Sequence, residues 1–129
     1  MSAEMYDTRE AKQESHRAPQ WLRTVPDFNM LDTVVPELLR DGDGWKMRSP
    51  CGDPAVAADF DANPRRRGAQ ELEVLAAERA LRVCGGCTLR QICFTDAMEH
   101  GDVGILRAGF LPWQLKLLYT EYKARNSTT

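Results

Sequence analysis

Apolar positions along this chain recur at helical rather than alternating intervals, and glycine or proline interrupts each stretch. In residues 69–83, "AQELEVLAAERALRV", the positions Leu72, Ala76, Ala80 and Val83 are spaced by four, four and three. That spacing predicts a helix with one buried face. Its Ala, Leu, Glu and Arg are strong helix formers, and Gly85 and Gly86 are expected to stop it just past Cys84. A second helix follows at once. Thr88 and Gln91 have the T-x-x-Q spacing of a capping box, Leu89, Ile92, Cys93 and Ala97 supply an apolar face, and Gly101 ends it. A third is expected from Pro112 to about Arg125, with proline at its first position and Leu115, Leu118 and Tyr122 on one stripe. Phe110 and Trp113 flank that proline as staple-like core residues.

The first half is more broken. Residues 1–20 are polar and aperiodic, and are expected to be mostly disordered. Apolar residues begin at Trp21 and Leu22, and Asp32 is expected to N-cap a short helix to Leu39 with Pro36 in its first turn. "RDGDGW" reads as a turn or linker. "SPCGDP" holds Cys51 between two prolines, in an extended or turn segment. "DANPRRRG" is a further polar break, read as a solvated turn. No alternating strand pattern and no internal repeat occurs.

A length of 129 residues suits one domain. No apolar run approaches about 18 residues, and the first twenty lack the apolar core of a signal peptide. The expected setting is therefore cytoplasmic and reducing, with no membrane partner. There, four cysteines point to metal ligands or redox groups rather than structural disulfides. The net charge of −2 does not suggest a strong nucleic-acid binder. Its distribution is uneven, however. Residues 1–44 carry five basic and nine acidic residues, a net of −4, whereas residues 64–93 carry six Arg and three Glu, a net of +3. At the C-terminal end Lys116, Lys123 and Arg125 stand against Glu121. Three phosphate contacts at most would give weak, salt-sensitive DNA binding.

The cysteines follow the pattern C-x32-C-x2-C-x5-C, at Cys51, Cys84, Cys87 and Cys93. A C-x2-C pair bent around two glycines aims both sulfurs at one point, and N–H groups of the turn and the next helix start face them. Zinc sites usually join two short C-x2-C knuckles; here the second is replaced by one helical and one remote cysteine. The asymmetry suits an iron–sulfur cluster, while zinc and a thiol–disulfide site stay open as alternatives. Arg79, Arg82 and Arg90 are expected near the thiolates to offset their charge. The lone His16 and His100 lack ligand spacing.

With a lone cysteine, then "VCGGCTLRQIC", then a glycine-rich turn and a closing helix, the chain resembles the WhiB-like family of small actinobacterial and actinophage iron–sulfur proteins that act in transcription. The resemblance runs from Trp45 to Arg125 and includes Trp45 ahead of Cys51, the "DP" of Asp53 and Pro54, and Phe60 at an aromatic position. It implies a [4Fe–4S] cluster on Cys51, Cys84, Cys87 and Cys93, and binding to the C-terminal domain of a sigma factor within RNA polymerase. The implied partner surface comprises Trp45, Phe60 and the turn Gly104, Ile105, Leu106, Arg107, Ala108 and Gly109. Two departures stand out. The family turn commonly reads G-[VI]-W-G-G, whereas this chain has an R-A-G form in which Arg107 puts a charged fork where an apolar anchor sits. Asp59 also reduces the aromatic pair to Phe60.

The expected architecture is all-α: a small domain of about three to four short helices organised around a four-cysteine metal site. Residues 1–44 form an N-terminal extension with a short helix, residues 45–125 the cluster-binding domain, and residues 126–129 a disordered tail. The expected activity is non-enzymatic transcriptional regulation, with redox or nitric oxide sensing implied by the family. DNA is approached weakly or through the partner, and there is no small-molecule substrate. The alternatives are a zinc-stabilised interaction module and an apo-form thiol–disulfide reductase using Cys84 and Cys87.

Overall fold

A computed structural model describes residues 20–64 and 71–127, which are mostly helical, with no strand among them. The expectations for residues 1–19, for the run of arginines at 65–67 and for residues 128–129 lie outside the described residues. From Gln20 to Gly52 the chain is a series of 3-10 turns: Gln20–Leu22, Phe28–Thr33, Pro36–Leu39, Gly44–Arg48 and Pro50–Gly52. Then come α1 (Pro54–Ala57), a 3-10 turn Ala58–Asp61, α2 (Glu71–Gly85), α3 (Arg90–His100) and α4 (Pro112–Ser127).

Prolines and short acidic side chains explain the first half. The expected helix from Asp32 instead starts earlier, capped by Asp27, whose carboxylate accepts from the Asn29 N–H at 2.9 Å. It breaks at Val34 and restarts with Pro36 at its first position; proline there has no N–H to lose but forbids a helix running through it. The "DP" pair acts in the same way. Asp53 caps α1 by accepting from the Ala55 N–H, and Pro54 is its first residue.

The three longer helices fall where the periodicity places them, but two details differ. In α2 the buried residues are Ala77, Ala80 and Cys84, while Leu72 is 73% exposed. The apolar residues of this helix nearly encircle it, and its contact with the Ala58–Asp61 turn selects the small ones, since alanines allow close approach. The capping box at Thr88 and Gln91 does not form. Leu89 is the N-cap of α3 with no side-chain bond, and Gln91 Nε2 donates instead to the Thr33 carbonyl at 3.1 Å. At the other end α4 extends through Asn126 and Ser127, two residues assigned above to the tail.

Two apolar clusters make the core. One joins Leu22, Phe60, Ala77, Ala80, Leu106 and Leu111, with Trp21 and Trp113 packed on it. The other joins Leu31, Phe94, Ala97, Met98, Leu115 and Leu118, with Phe110 packed on it; the Phe94 and Phe110 ring centres are 5.5 Å apart. Each cluster takes a leucine from before residue 44, so the described part of the N-terminal segment docks on the domain. Polar ties reinforce this. Gln114 Nε2 donates to the Thr24 carbonyl at 2.9 Å while its Oε1 accepts from the Leu111 N–H, and the Val35 N–H donates to the buried Thr95 hydroxyl. Because Leu22 is 3% exposed, Leu22→Ala is expected to lower unfolding free energy by about 3 kcal/mol. The denaturant midpoint of the full chain reads this directly; a shift below about 0.5 kcal/mol, typical of surface positions, would mean that the segment is not part of the core.

Candidate metal centre

The elements that carry the cysteines converge on one cavity of about 320 Å³, lined by Cys51, Cys84, Cys87 and Cys93 together. Cys51 comes from the Pro50–Gly52 turn, which packs on α2. Cys84 lies at the end of α2, where Gly85 closes the helix, and Cys87 in the turn beyond it. Cys93 is on the first turn of α3. Cys51 and Cys84 pack with the first apolar cluster and Cys93 with the second, so the cavity separates the two. Among the described residues no three His, Cys, Asp or Glu side chains form a group that could hold a metal ion. The four cysteines line one cavity.

Every sulfur has a polar neighbour. Cys87 Sγ accepts from the Leu89 N–H at 3.3 Å, so the turn does aim an N–H at a sulfur. Cys51 Sγ lies 3.3 Å from Ser49 Oγ. The other two are met by the R-A-G turn. Arg107 and Phe110 exchange both backbone hydrogen bonds, which makes Ala108 and Gly109 the tip of a two-residue hairpin. Both tip residues have positive φ, 54° and 85°, as the primed turns of such hairpins require. Left free by that geometry, the Ala108 N–H faces Cys93 and the Gly109 N–H faces Cys84. Successive N–H groups turned to one side in this way make an anion-binding nest.

The hairpin is itself clamped. Arg90 Nε donates to the Ala108 carbonyl at 2.9 Å, and the Arg90 guanidinium lies over Gly109 so closely that a Cβ there would meet Nη2 at 2.2 Å. Gly109→Ala is therefore expected to cost about 1–2 kcal/mol from the left-handed backbone plus the displacement of Arg90. An Arg90→Ala background should relieve only the second part; equal costs in both backgrounds would show that Arg90 does not set the requirement.

Arg107 points inward. Its side chain is 9% exposed; Nη2 lies 2.9 Å from Asp96 Oδ2 and 3.4 Å from Cys93 Sγ, and Nη1 2.8 Å from Asp102 Oδ2. Burial of Asp96 opposes its charge, but Arg107 first, then Lys46 and His100, outweigh that and hold its carboxyl below the ordinary carboxylate range. Its Oδ1 faces His100 Nδ1 at 3.0 Å, and Lys46 Nζ is 3.6 Å from Oδ2. Burial pushes the Cys84 thiol up to about 11, against the Gly109 N–H and Arg90. It also pushes Cys93 up, against Arg107.

These positions revise the expected roles. Arg107 is no outward fork, because its guanidinium is engaged by two carboxylates and a sulfur. Trp45, Phe60, Leu106 and Ala108 are buried too, so of the expected partner surface Gly104 and Ile105 are exposed and Gly109 is half-buried. Phe60 serves the fold, its carbonyl accepting from the Leu106 N–H. Of the three arginines expected near the sulfurs, Arg90 lines the cavity and Arg79 is paired instead with Asp59 through two 3.0 Å contacts. Arg107, also on the cavity wall, takes the expected role at Cys93, while Lys46 lines the wall and pairs with Asp43 and Asp96. The C-terminal cations are partly engaged: Lys123 Nζ sits 4.7 Å over the Tyr119 ring and Arg125 pairs with Glu121, while Lys116 is exposed.

The donor set fits a cluster-sized anionic body. Four thiols surround one volume, Lys46, Arg90 and Arg107 line it, three backbone N–H groups face the sulfurs, and the Trp45 indole N–H is buried in the cavity wall with no hydrogen-bond partner. No helix among the described residues is long and apolar enough to cross a membrane. Comparison with protein families, with curated proteins and with solved structures finds no match for this chain.

Proposed function

We propose that the chain is an iron–sulfur transcriptional regulator of WhiB-like type, which holds a [4Fe–4S] cluster on Cys51, Cys84, Cys87 and Cys93 and binds the C-terminal domain of a sigma factor in RNA polymerase. The observation that carries the cofactor is the convergence of three clustered cysteines and the remote Cys51 on one cavity whose walls supply N–H and guanidinium donors to sulfur. When bound, the cluster supplies one-electron redox chemistry and reactivity toward nitric oxide or oxygen. The protein positions the thiolates, neutralises them through Arg90 and Arg107, and limits water by burying Trp45, Phe60 and Leu106 around the cavity.

Two alternatives are weaker. Zinc sites usually join two short C-x2-C knuckles, and here the second is replaced by Cys93 and the remote Cys51. A dithiol reductase needs an accessible, acidic attacking thiol, but Cys84 is 6% exposed with its pKa pushed up to about 11. The transcriptional half of the proposal rests on the family resemblance and on exposed apolar residues beside the cavity: Ile105, 40% exposed, and Met47, 90% exposed in the turn that carries Trp45. The cytoplasm is the compartment this reading requires. Anaerobic capture of the full chain on an immobilised sigma C-terminal domain tests it. Retention that falls at least fivefold in an Ile105→Asp variant is expected, and equal, negligible retention of both proteins would overturn the partner assignment.

A further inference from the structure

Arg107 is the guanidinium whose contact with a ligand sulfur is shown by distance, and it is buried between two charges of opposite consequence. On one side is Cys93 Sγ at 3.4 Å; on the other Asp96 Oδ2 at 2.9 Å. Asp96 is itself 2% exposed, and Lys46 Nζ and the His100 ring are its other neighbours. Asp102, which holds Nη1, is 58% exposed and thus screened by solvent. The Cys93–Arg107–Asp96 line is therefore a short chain of charges in a water-poor wall, where electrostatic effects are strongest.

We propose that Arg107 and Asp96 set the reduction potential of the loaded centre with opposite signs, Arg107 by direct donation to Cys93 and Asp96 as the residue that positions and partly neutralises Arg107. This rests on the cluster reading above. Reduction adds one electron to the site, taken from an external one-electron donor, and no bond to the protein is made or broken. A donor on a ligand sulfur stabilises the more reduced, more negative form. Losing the arginine's positive charge must then lower the potential, and losing the aspartate's negative charge must raise it.

The test is an anaerobic, dye-mediated redox titration of the reconstituted full chain, followed by visible absorbance. Arg107→Gln is expected to shift the oxidised-to-reduced ratio at fixed potential at least about tenfold toward the oxidised form, which is 59 mV for a one-electron couple. Asp96→Asn is expected to shift it toward the reduced form, and the double variant to fall between. Arg107→Lys, which keeps the charge and loses the fork, should move less than Arg107→Gln. If Arg107→Gln does not load, the sign for Asp96→Asn and the drop for Arg107→Lys still decide. Shifts of the same sign, or below twofold, overturn the proposal and indicate a purely structural network. A wild-type chain that binds no iron and sulfide overturns the cluster reading itself.

Discussion

Arg107→Ala is expected to lower the unfolding free energy of the metal-free chain by about 3–5 kcal/mol, the range for stripping one partner from a buried ion pair. The cause is what stays behind. Asp96 would keep its buried carboxylate with Lys46 at 3.6 Å and His100, 47% and 61% exposed, in place of a guanidinium at 2.9 Å. The hairpin would also lose its Asp102 tie and the Cys93 sulfur its donor. Equilibrium denaturation of the reduced, metal-free protein measures it. Asp96→Asn in the same background should recover part of the loss, because no charge is then left unpaired. A cost below about 1 kcal/mol would place Arg107 with ordinary surface pairs.

The same pair fixes a pH dependence. The Asp96 carboxyl is held below its unfolded value by Arg107, so its contribution is fully present above the ordinary carboxyl pKa of 3.8. It is lost as pH falls through the depressed folded value. Wild type should therefore lose stability on acidification, and in Arg107→Ala that loss should be smaller, since the carboxylate no longer gains from being charged. An equal acid slope in both proteins would contradict the assignment.

The second large effect concerns the cavity between the two apolar clusters. Cys51 and Cys84 belong to one side and Cys93 to the other, so a body that ligates all four sulfurs joins the halves. Loading is expected to raise the thermal midpoint by about 10 °C or more, the shift that a few kcal/mol produces in a domain of this size. Cys51→Ala should abolish the rise although it removes a ligand from a half-exposed turn; a rise preserved in that variant would show that Cys51 is outside the site.

Much of this was legible in the sequence. Helices α2, α3 and α4 follow from apolar periodicity and from Gly85, Gly101 and Pro112, whose effects are local. The grouping of the cysteines could be anticipated because Gly85 and Gly86 act within the same turn as Cys84 and Cys87. Long-range choices were not legible. The buried face of α2 was set by what packs on it, and Gln91 left its local cap for a carbonyl 58 residues away. Arg107 shows the limit most clearly. As a charged residue in a glycine turn it reads as exposed, and Asp96, one of five consecutive buried residues of α3, turns it inward. A signal did exist in the pairing of Asp96 with Cys93 at i and i+3 on α3, which puts a carboxylate one turn from a cysteine of the cavity. The 3-10 turns before residue 52 carry no periodicity, because prolines and capping aspartates divide them into pieces too short to repeat.

The central claim, that four cysteines form one cage for an iron–sulfur cluster, is tested most directly by metal and sulfide analysis. The full chain and its four single Cys→Ala variants would be reconstituted anaerobically with iron, sulfide and equimolar zinc, then desalted. About four iron and four acid-labile sulfide per wild-type chain, and a loss of more than half in each variant, is the predicted result. One zinc per chain without sulfide, or a Cys51→Ala variant that retains the full complement, would contradict it.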